Sequence, residues 1–215
     1  MPFLSNLPRL RSPADIVTYL TLFPAISVIG KALQGCESLI DLGCGENSWI
    51  RLLRFPGEKR GVDAWEPAVR RSAAARIHDT YAVGDIRTLP LEPADAILCL
   101  DVIEHLPKGD SAAVVESLDR LARRLVVVIT PNGFLEQHPV DGNEMQRHRC
   151  GWSSAELRQA GFEVFGIEGL RGLRGEFGRI ARRPKAFWWL VSKFSEAYVW
   201  HHPERAFALM AMKRK

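Results

Sequence analysis

Cysteine is scarce in this 215-residue chain, and its placement excludes a disulfide-stapled fold. Cys36, Cys44, Cys99 and Cys150 form neither a CxxC pair nor a spacing that reads as a disulfide framework. Two of them fall in expected strand-end segments, so a reduced, cytoplasmic protein is the simpler expectation. No cleavable leader is expected either, because MPFLSNLPRLRSPAD lacks a basic stretch followed directly by an apolar core. The longest uncharged run, 16–30, is shorter than the roughly 20 apolar residues that cross a bilayer. It holds Pro24, so it reads as a helix lying over a core and broken or kinked at that proline. Repeats, low-complexity tracts and linkers are absent, which leaves one domain over 1–215. Within it, 1–37 reads as a helical cap, 38–133 as the ligand-binding core, and 131–152 and 170–203 as insertions.

What remains is ordinary globular chemistry. Apolar residues make up 47% and charged residues 25% of the chain, enough for a single buried core. The net charge of +4 favours an anionic partner only where basic residues cluster. Short apolar runs at Ser38–Leu42, 60–64, Thr80–Val83, Ala94–Leu100 and 125–130 alternate with amphipathic stretches at 47–54, 66–76 and 111–123. That alternation is the pattern of βαβ units around a parallel sheet whose strands are buried on both faces. Ser153 and Glu156 offer a capping box for a further helix, with Gly161 as its stop. The runs 162–166 and 206–212 read as the last two strands.

The most informative segment is Asp41-Leu42-Gly43-Cys44-Gly45-Glu46-Asn47-Ser48. A strand ends there in Gly-x-Gly and a helix is expected at once, so a ligand can approach the backbone at the carboxyl edge of the sheet. Ser48 stands where a dinucleotide-binding loop would need its third glycine, and Asp41 and Glu46 flank the loop. Two carboxylates repel a pyrophosphate but favour a ligand carrying an ammonium and a sulfonium and no phosphate. A dehydrogenase is therefore the least favoured reading. Further strands end in Asp63-Ala64-Trp65, Asp85-Ile86 and Leu100-Asp101. An acid at the end of the second strand can accept hydrogen bonds from a ribose diol. Any one such acid is more often a turn residue or a cap; four in succession line one edge of a parallel sheet, where ligands bind.

DLGCGENS, GVDAW, VGDI, LDVIEHL and VITPNG, in this order, resemble the successive motifs of class I S-adenosylmethionine-dependent methyltransferases, with Asn47 departing from the glycine many members carry. The resemblance covers about 38–133, and GWSSAELRQAGFEVFGIEG is similar to that family's last helix and strand. It implies a doubly wound, Rossmann-like, mainly parallel seven-stranded α/β sheet with an antiparallel last strand. It also implies S-adenosyl-L-methionine as cofactor and S-adenosyl-L-homocysteine as product. By the same resemblance Gly43, Cys44 and Gly45, entered through Asp41, face the methionine moiety. Asp63, followed by Ala64, holds the ribose; Asp85 takes the adenine amino group and Ile86 an adenine face or edge. The Leu100 carbonyl and Asp101 lie near the methionine ammonium. Trp65 either covers the adenine or packs at a helix start.

Methyl transfer needs alignment more than acid–base help unless the nucleophile is a hydroxyl. His105 is then the best-placed base, against an alternative role in packing. Asp101, Glu104, His105 and His148 together include cation-ligand types, in loose resemblance to metal-assisted methyltransferases of quinone precursors or small-RNA ends. The VIEHL string is widespread among relatives without a metal, so no metal is expected. The segment 131–152 overhangs the cofactor edge and is expected to shape the acceptor pocket, with Asn132, His138, His148 and Trp152 as candidates.

Arg171, Arg174, Arg179, Arg182, Arg183 and Lys185 crowd ahead of Phe187, Leu190, Val191, Phe194 and Tyr198 at helical spacing, with Trp188, Trp189 and Trp200 around them. An amphipathic helix on the sheet with a solvated basic face is the favoured reading; peripheral membrane contact through 185–200 stays open. The expected activity is methylation of a small-molecule or lipid-linked acceptor. RNA or protein acceptors, or a catalytically inactive cofactor-binding partner protein, are the alternatives.

Overall fold

A computed structural model describes residues 13–139 and 142–215 of the chain. Seven strands form one sheet: β1 Ser38–Leu42, β2 Glu58–Asp63, β3 Thr80–Val83, β4 Ala94–Leu100, β5 Ala122–Pro131, β6 Glu163–Leu170 and β7 Ala206–Arg214. Their order is β3-β2-β1-β4-β5-β7-β6, with β7 antiparallel to both β5 and β6 and the other pairs parallel. The order reverses between β1 and β4, and this switch point opens a crevice at the strands' carboxyl ends.

The sheet is buried on both faces, which is why its strands read as unbroken apolar runs. Along β5, Leu125, Val127 and Ile129 join one apolar cluster while Val126 and Val128 join the other. The first cluster is covered by α1 (Pro13–Ala32) through Leu22, Ile26 and Ile29. The second is covered by α3 (Lys108–Leu121) through Val115 and Leu118, and by α4 (Ser154–Gln159) through Leu157. The α4 capping box forms as expected: Ser153 Oγ accepts from the Glu156 amide at 3.2 Å, and Glu156 Oε2 accepts from the Ser153 amide at 2.8 Å. Between β2 and β3 lies α2 (Glu66–Ala74).

Two local expectations are corrected. The helix α1 runs through Pro24 without a break, because Leu22, Ala25, Ile26 and Ile29 seal one face of it onto the sheet. The segment 47–54 holds only a single 3-10 turn, Trp49–Leu52, because β2 begins at Glu58 and Pro56-Gly57 close the space for a longer helix. Residues 1–12 of the expected N-terminal cap and residues 140 and 141 lie outside the described residues. In 170–203 the expected helix is α5 (Lys185–His201), packed on β6 with only Ser192 and Val199 buried.

Candidate functional site

At the switch point the loops after β1, β2, β3 and β4, together with residues from 143–149, enclose a cavity of about 480 Å3. That volume suits a drug-sized ligand.

The β1 loop is shaped by two glycines. Gly43 has φ +69°, and a Cβ there would lie 2.3 Å from Val102 Cγ2, so the loop nests against the chain leaving β4. Gly45 has φ +54° and a Cβ there would meet nothing within 4 Å, which leaves its cavity side open. Asp63 locks this loop to β2: its Oδ2 accepts from the Gly45 amide at 2.9 Å and its Oδ1 from the Trp65 amide at 2.8 Å. Burial raises the Asp63 pKa, partly offset by those amides. Both oxygens keep acceptor capacity for a diol at the cavity wall.

Trp65 forms the next stretch of wall. The guanidinium of Arg71 sits 4.9 Å from the Trp65 ring centroid and is paired with Glu46, the acid of the β1 loop. Beside them, Asp85 is already engaged: Arg87 Nε lies 3.0 Å from both its oxygens, and Arg87 also reaches Asp110 at 2.6 Å. This pairing holds Asp85 below the usual carboxylate range. Ile86 and Ala64 complete that side.

After β4, Asp101 adopts φ +56°, a left-handed conformation that Asp tolerates better than most residues. Its amide donates to the Ile129 carbonyl at 2.9 Å, so the strained turn is fastened to β5. Asp101 is exposed and lines the cavity wall. Desolvation by the surrounding protein, followed by the charge of Glu168, raises its pKa above the usual carboxylate range. A cationic ligand group there would reverse the shift.

His105 lines the same cavity. Its Nδ1 lies 3.3 Å from the Arg147 carbonyl, and its ring packs edge-on to His148 with centroids 4.8 Å apart. Burial, then the neighbouring His148, depresses its pKa to about 4, so the ring is a neutral base at physiological pH. His148 is buried with Nδ1 at 2.6 Å from the Leu135 carbonyl. Glu104 is 2% exposed; its Oε2 accepts from Thr130 Oγ1 at 3.0 Å while Oε1 has no partner. One donor atom each from Glu104, His105 and His148 lie within 4.8 Å of one another. The structure thus gathers three of the four cation-ligand types noted in the sequence, and Asp101 stands in the cavity wall beside them.

Other expected residues sit elsewhere. Asp41 does not line the cavity: its buried Oδ2 takes the Ser48 hydroxyl at 2.5 Å and His78 Nε2 at 2.9 Å. It therefore stabilises the loop from within rather than presenting charge to a ligand. Cys44 and Leu100 are buried beneath the cavity, and burial raises the Cys44 thiol pKa strongly. Asn132 gives its amide hydrogens to the carbonyls of Pro203, Glu204 and Ala206 at 3.0–3.1 Å, tying β5 to the β7 entry instead of facing an acceptor. Trp152 is buried, donating to Ser111 Oγ at 2.8 Å under Lys108, and His138 is exposed against Glu176. Arg71, Arg87, Asn143, Met145, Gln146 and Arg149 line the cavity without having been singled out. Arg87 was legible from its place two residues after Asp85. Asn143 to Arg149 fall in the segment already assigned to the acceptor side.

Sheet order, reversed final strand and switch-point cavity together define a doubly wound, Rossmann-like fold with its ligand crevice at the strands' carboxyl ends. A family model described as a methyltransferase domain matches residues 40–135. Residues 40–135 therefore carry a methyltransferase domain, and S-adenosyl-L-methionine is its cofactor. Among solved structures, magnesium protoporphyrin IX methyltransferase from Synechocystis PCC 6803 with bound SAM is similar at 18% identity and TM-score 0.54, over 94% of this chain and 80% of that one. The plantazolicin methyltransferase BamL, in complex with a triazolic desmethylPZN analog and SAH, is similar at 15% identity and TM-score 0.54, over 96% and 86%. Small RNA methyltransferase HEN1 is similar at 16% identity and TM-score 0.57, over 90% of this chain and 25% of that one. No curated sequence matches the chain.

Proposed function

We propose that this methyltransferase acts on a small-molecule or lipid-linked acceptor, with the cofactor held by Gly43, Gly45, Asp63, Ala64, Trp65, Asp85, Ile86 and Asp101. The observation that carries this reading is the single cavity joining those residues, from the glycine loop to the His105 ring. Bound S-adenosylmethionine supplies an electrophilic methyl group. Asp63 accepts from the ribose hydroxyls, Asp101 meets the ammonium, and the open side of Gly45 admits the chain between them. Asp41, Cys44 and Leu100 act from beneath by fixing the strand ends. His105, neutral and lining the cavity, serves as the base for an acceptor hydroxyl.

Isothermal titration with S-adenosylhomocysteine, with NADH as control and Asp63→Ala as second protein, tests the cofactor site. Binding of the first ligand alone, lost in the variant, supports it; no binding by folded protein moves the reading to an inactive partner protein.

The lipid-linked option draws support from α5, where Phe187 (55% exposed), Leu190 (48%), Phe194 (83%) and Tyr198 (44%) form one unburied stripe next to Arg182, Arg183 and Lys185. Among the described residues no helix is long and apolar enough to cross a membrane. A cytoplasmic protein touching the bilayer surface through α5 fits both facts. RNA and protein acceptors are tested in the same acceptor screen.

A further inference from the structure

The cavity wall carries a cation that the protein leaves without a counter-ion. Arg71 is paired with Glu46, and Arg87 with Asp85 and Asp110. Arg149 lines the same cavity and is exposed, and among the described residues its guanidinium has no ion pair or hydrogen bond. Its neighbour Arg147, by contrast, is paired with Glu144 at 3.2 Å.

The main chain that bears Arg149 is nevertheless fixed. Its amide and that of Cys150 donate to the Glu104 carbonyl at 2.7 and 3.1 Å. Glu104 immediately precedes His105, and the Arg147 carbonyl lies 3.3 Å from His105 Nδ1. A carbonyl only accepts, so Nδ1 holds the ring proton and Nε2 is the basic atom. Arg147 and Arg149 are two residues apart, which caps their Cα separation at about 7 Å. The base and the guanidinium stem are therefore anchored within the span of a small molecule. Met145, 53% exposed on the same segment, adds an apolar surface to this wall.

We propose that Arg149 selects the acceptor, pairing with an oxyanion group, carboxylate or phosphate, on a molecule whose hydroxyl faces His105. The inference rests on the proposed function and narrows it. In that function Asp63 takes the ribose and Asp101 the ammonium, so the remaining cation of the wall serves what shares the cavity with the cofactor. A neutral acceptor gains little from the arginine. An anionic one gains a two-pronged, charge-assisted pair that holds its far end. Holding that end fixes the line along which the hydroxyl meets the methyl carbon, and this alignment governs the transfer. A small carboxylic acid and a phosphate-bearing lipid-linked molecule meet the same requirement.

Full-length protein would be titrated with benzoate, phenyl phosphate and the neutral benzyl alcohol at constant ionic strength, each with and without S-adenosylhomocysteine. Binding is read by saturation-transfer NMR. At least one anion is expected to bind about fivefold or more tighter than benzyl alcohol. Preference for benzoate assigns a carboxylate to the acceptor, and preference for phenyl phosphate a phosphate. Arg149→Gln should bring both anions down to the level of benzyl alcohol, and Arg149→Lys should restore part of the difference. Both variants should keep the wild-type thermal midpoint and affinity for S-adenosylhomocysteine. Wild type that binds neither anion better than benzyl alcohol, or a preference that survives Arg149→Gln, overturns the proposal. Loss of S-adenosylhomocysteine affinity in Arg149→Gln also overturns it, by assigning the guanidinium to the cofactor's own carboxylate. Because the probes are also titrated alone, wild type that selects anions without binding S-adenosylhomocysteine supports the anion site and counts against the proposed function alone.

Discussion

Asp63 Oδ2 accepts the Gly45 amide hydrogen at 2.9 Å, so the acid ending the second strand fastens the glycine loop that follows the first. The same carboxylate takes the Trp65 amide at 2.8 Å. One side chain thereby sets the relative height of three cavity walls. Replacing it with alanine leaves two amides without their acceptors. Asp63→Ala is expected to abolish S-adenosylhomocysteine binding and to cost about 1–3 kcal/mol of stability, measured by calorimetry and by chemical denaturation. Asp63→Asn, which keeps one acceptor oxygen, should recover more of the stability than of the binding.

The two loop glycines separate folding from ligand binding. A methyl at Gly43 drives into Val102 at 2.3 Å and sits at φ +69°, so Gly43→Ala should destabilise the fold by roughly 1–3 kcal/mol. Gly45→Ala meets nothing within 4 Å in the protein, so only its φ of +54° costs stability, about 1 kcal/mol. Its methyl instead projects toward the space a ligand needs. Urea midpoints should rank Gly43→Ala below Gly45→Ala, while calorimetry should find Gly45→Ala deficient in cofactor affinity at temperatures where it is fully folded. Equal affinity loss and stability loss in both would contradict this division.

An acid-sensitive contact lies at the start of α4. Burial opposes the charge on Glu156, but hydrogen bonds from Lys108 and Ser153 outweigh it and draw the pKa down to about 2 from 4.5. A carboxyl whose folded pKa lies below its unfolded value stabilises the fold above the unfolded value. That contribution fades as pH falls from about 4.5 toward 2. Its size is small, since the side chain is 41% exposed and its pairing with Lys108 is screened by solvent. Thermal unfolding of wild type and Glu156→Gln should differ at pH 7, and the gap should narrow steadily below pH 4.5. A gap unchanged at low pH would place the effect in packing instead.

Much of the scaffold was legible in the residues because burial on both faces forces strands to be apolar throughout. Leu98 and Ile97 face opposite layers, yet neither can be polar. The strand-end acids were legible as a set, but not every partner was. Asp41 turns inward because Ser48 and His78, the latter 37 positions along the chain, claim its carboxylate. Asp85 is occupied by Arg87 for a local reason, since a guanidinium two residues on reaches back across the turn. Glu104 appeared as part of a common string, and only the three-dimensional course of 143–149 reveals that its oxygen is abandoned beside two imidazoles. Long-range pairing decides Asp41 through His78 and Glu104 through 143–149, and spacing along the chain carries no record of it.

The exposed stripe of α5 makes the membrane contact separable from the fold. Phe194 is 83% and Phe187 55% exposed, so their rings spend little on the core, and serine in their place should change stability by no more than about 0.5 kcal/mol. Against an anionic vesicle the same rings would enter the interface while Arg182, Arg183 and Lys185 meet the headgroups. Co-sedimentation is therefore expected with vesicles containing phosphatidylserine, weaker with neutral phosphatidylcholine, and weaker again at high salt. Phe187→Ser combined with Phe194→Ser should abolish it with the thermal midpoint unmoved. Equal binding to neutral vesicles would assign the contact to the rings alone. No sedimentation of the wild type with either vesicle would remove the bilayer surface from the acceptor question and leave a freely diffusing substrate.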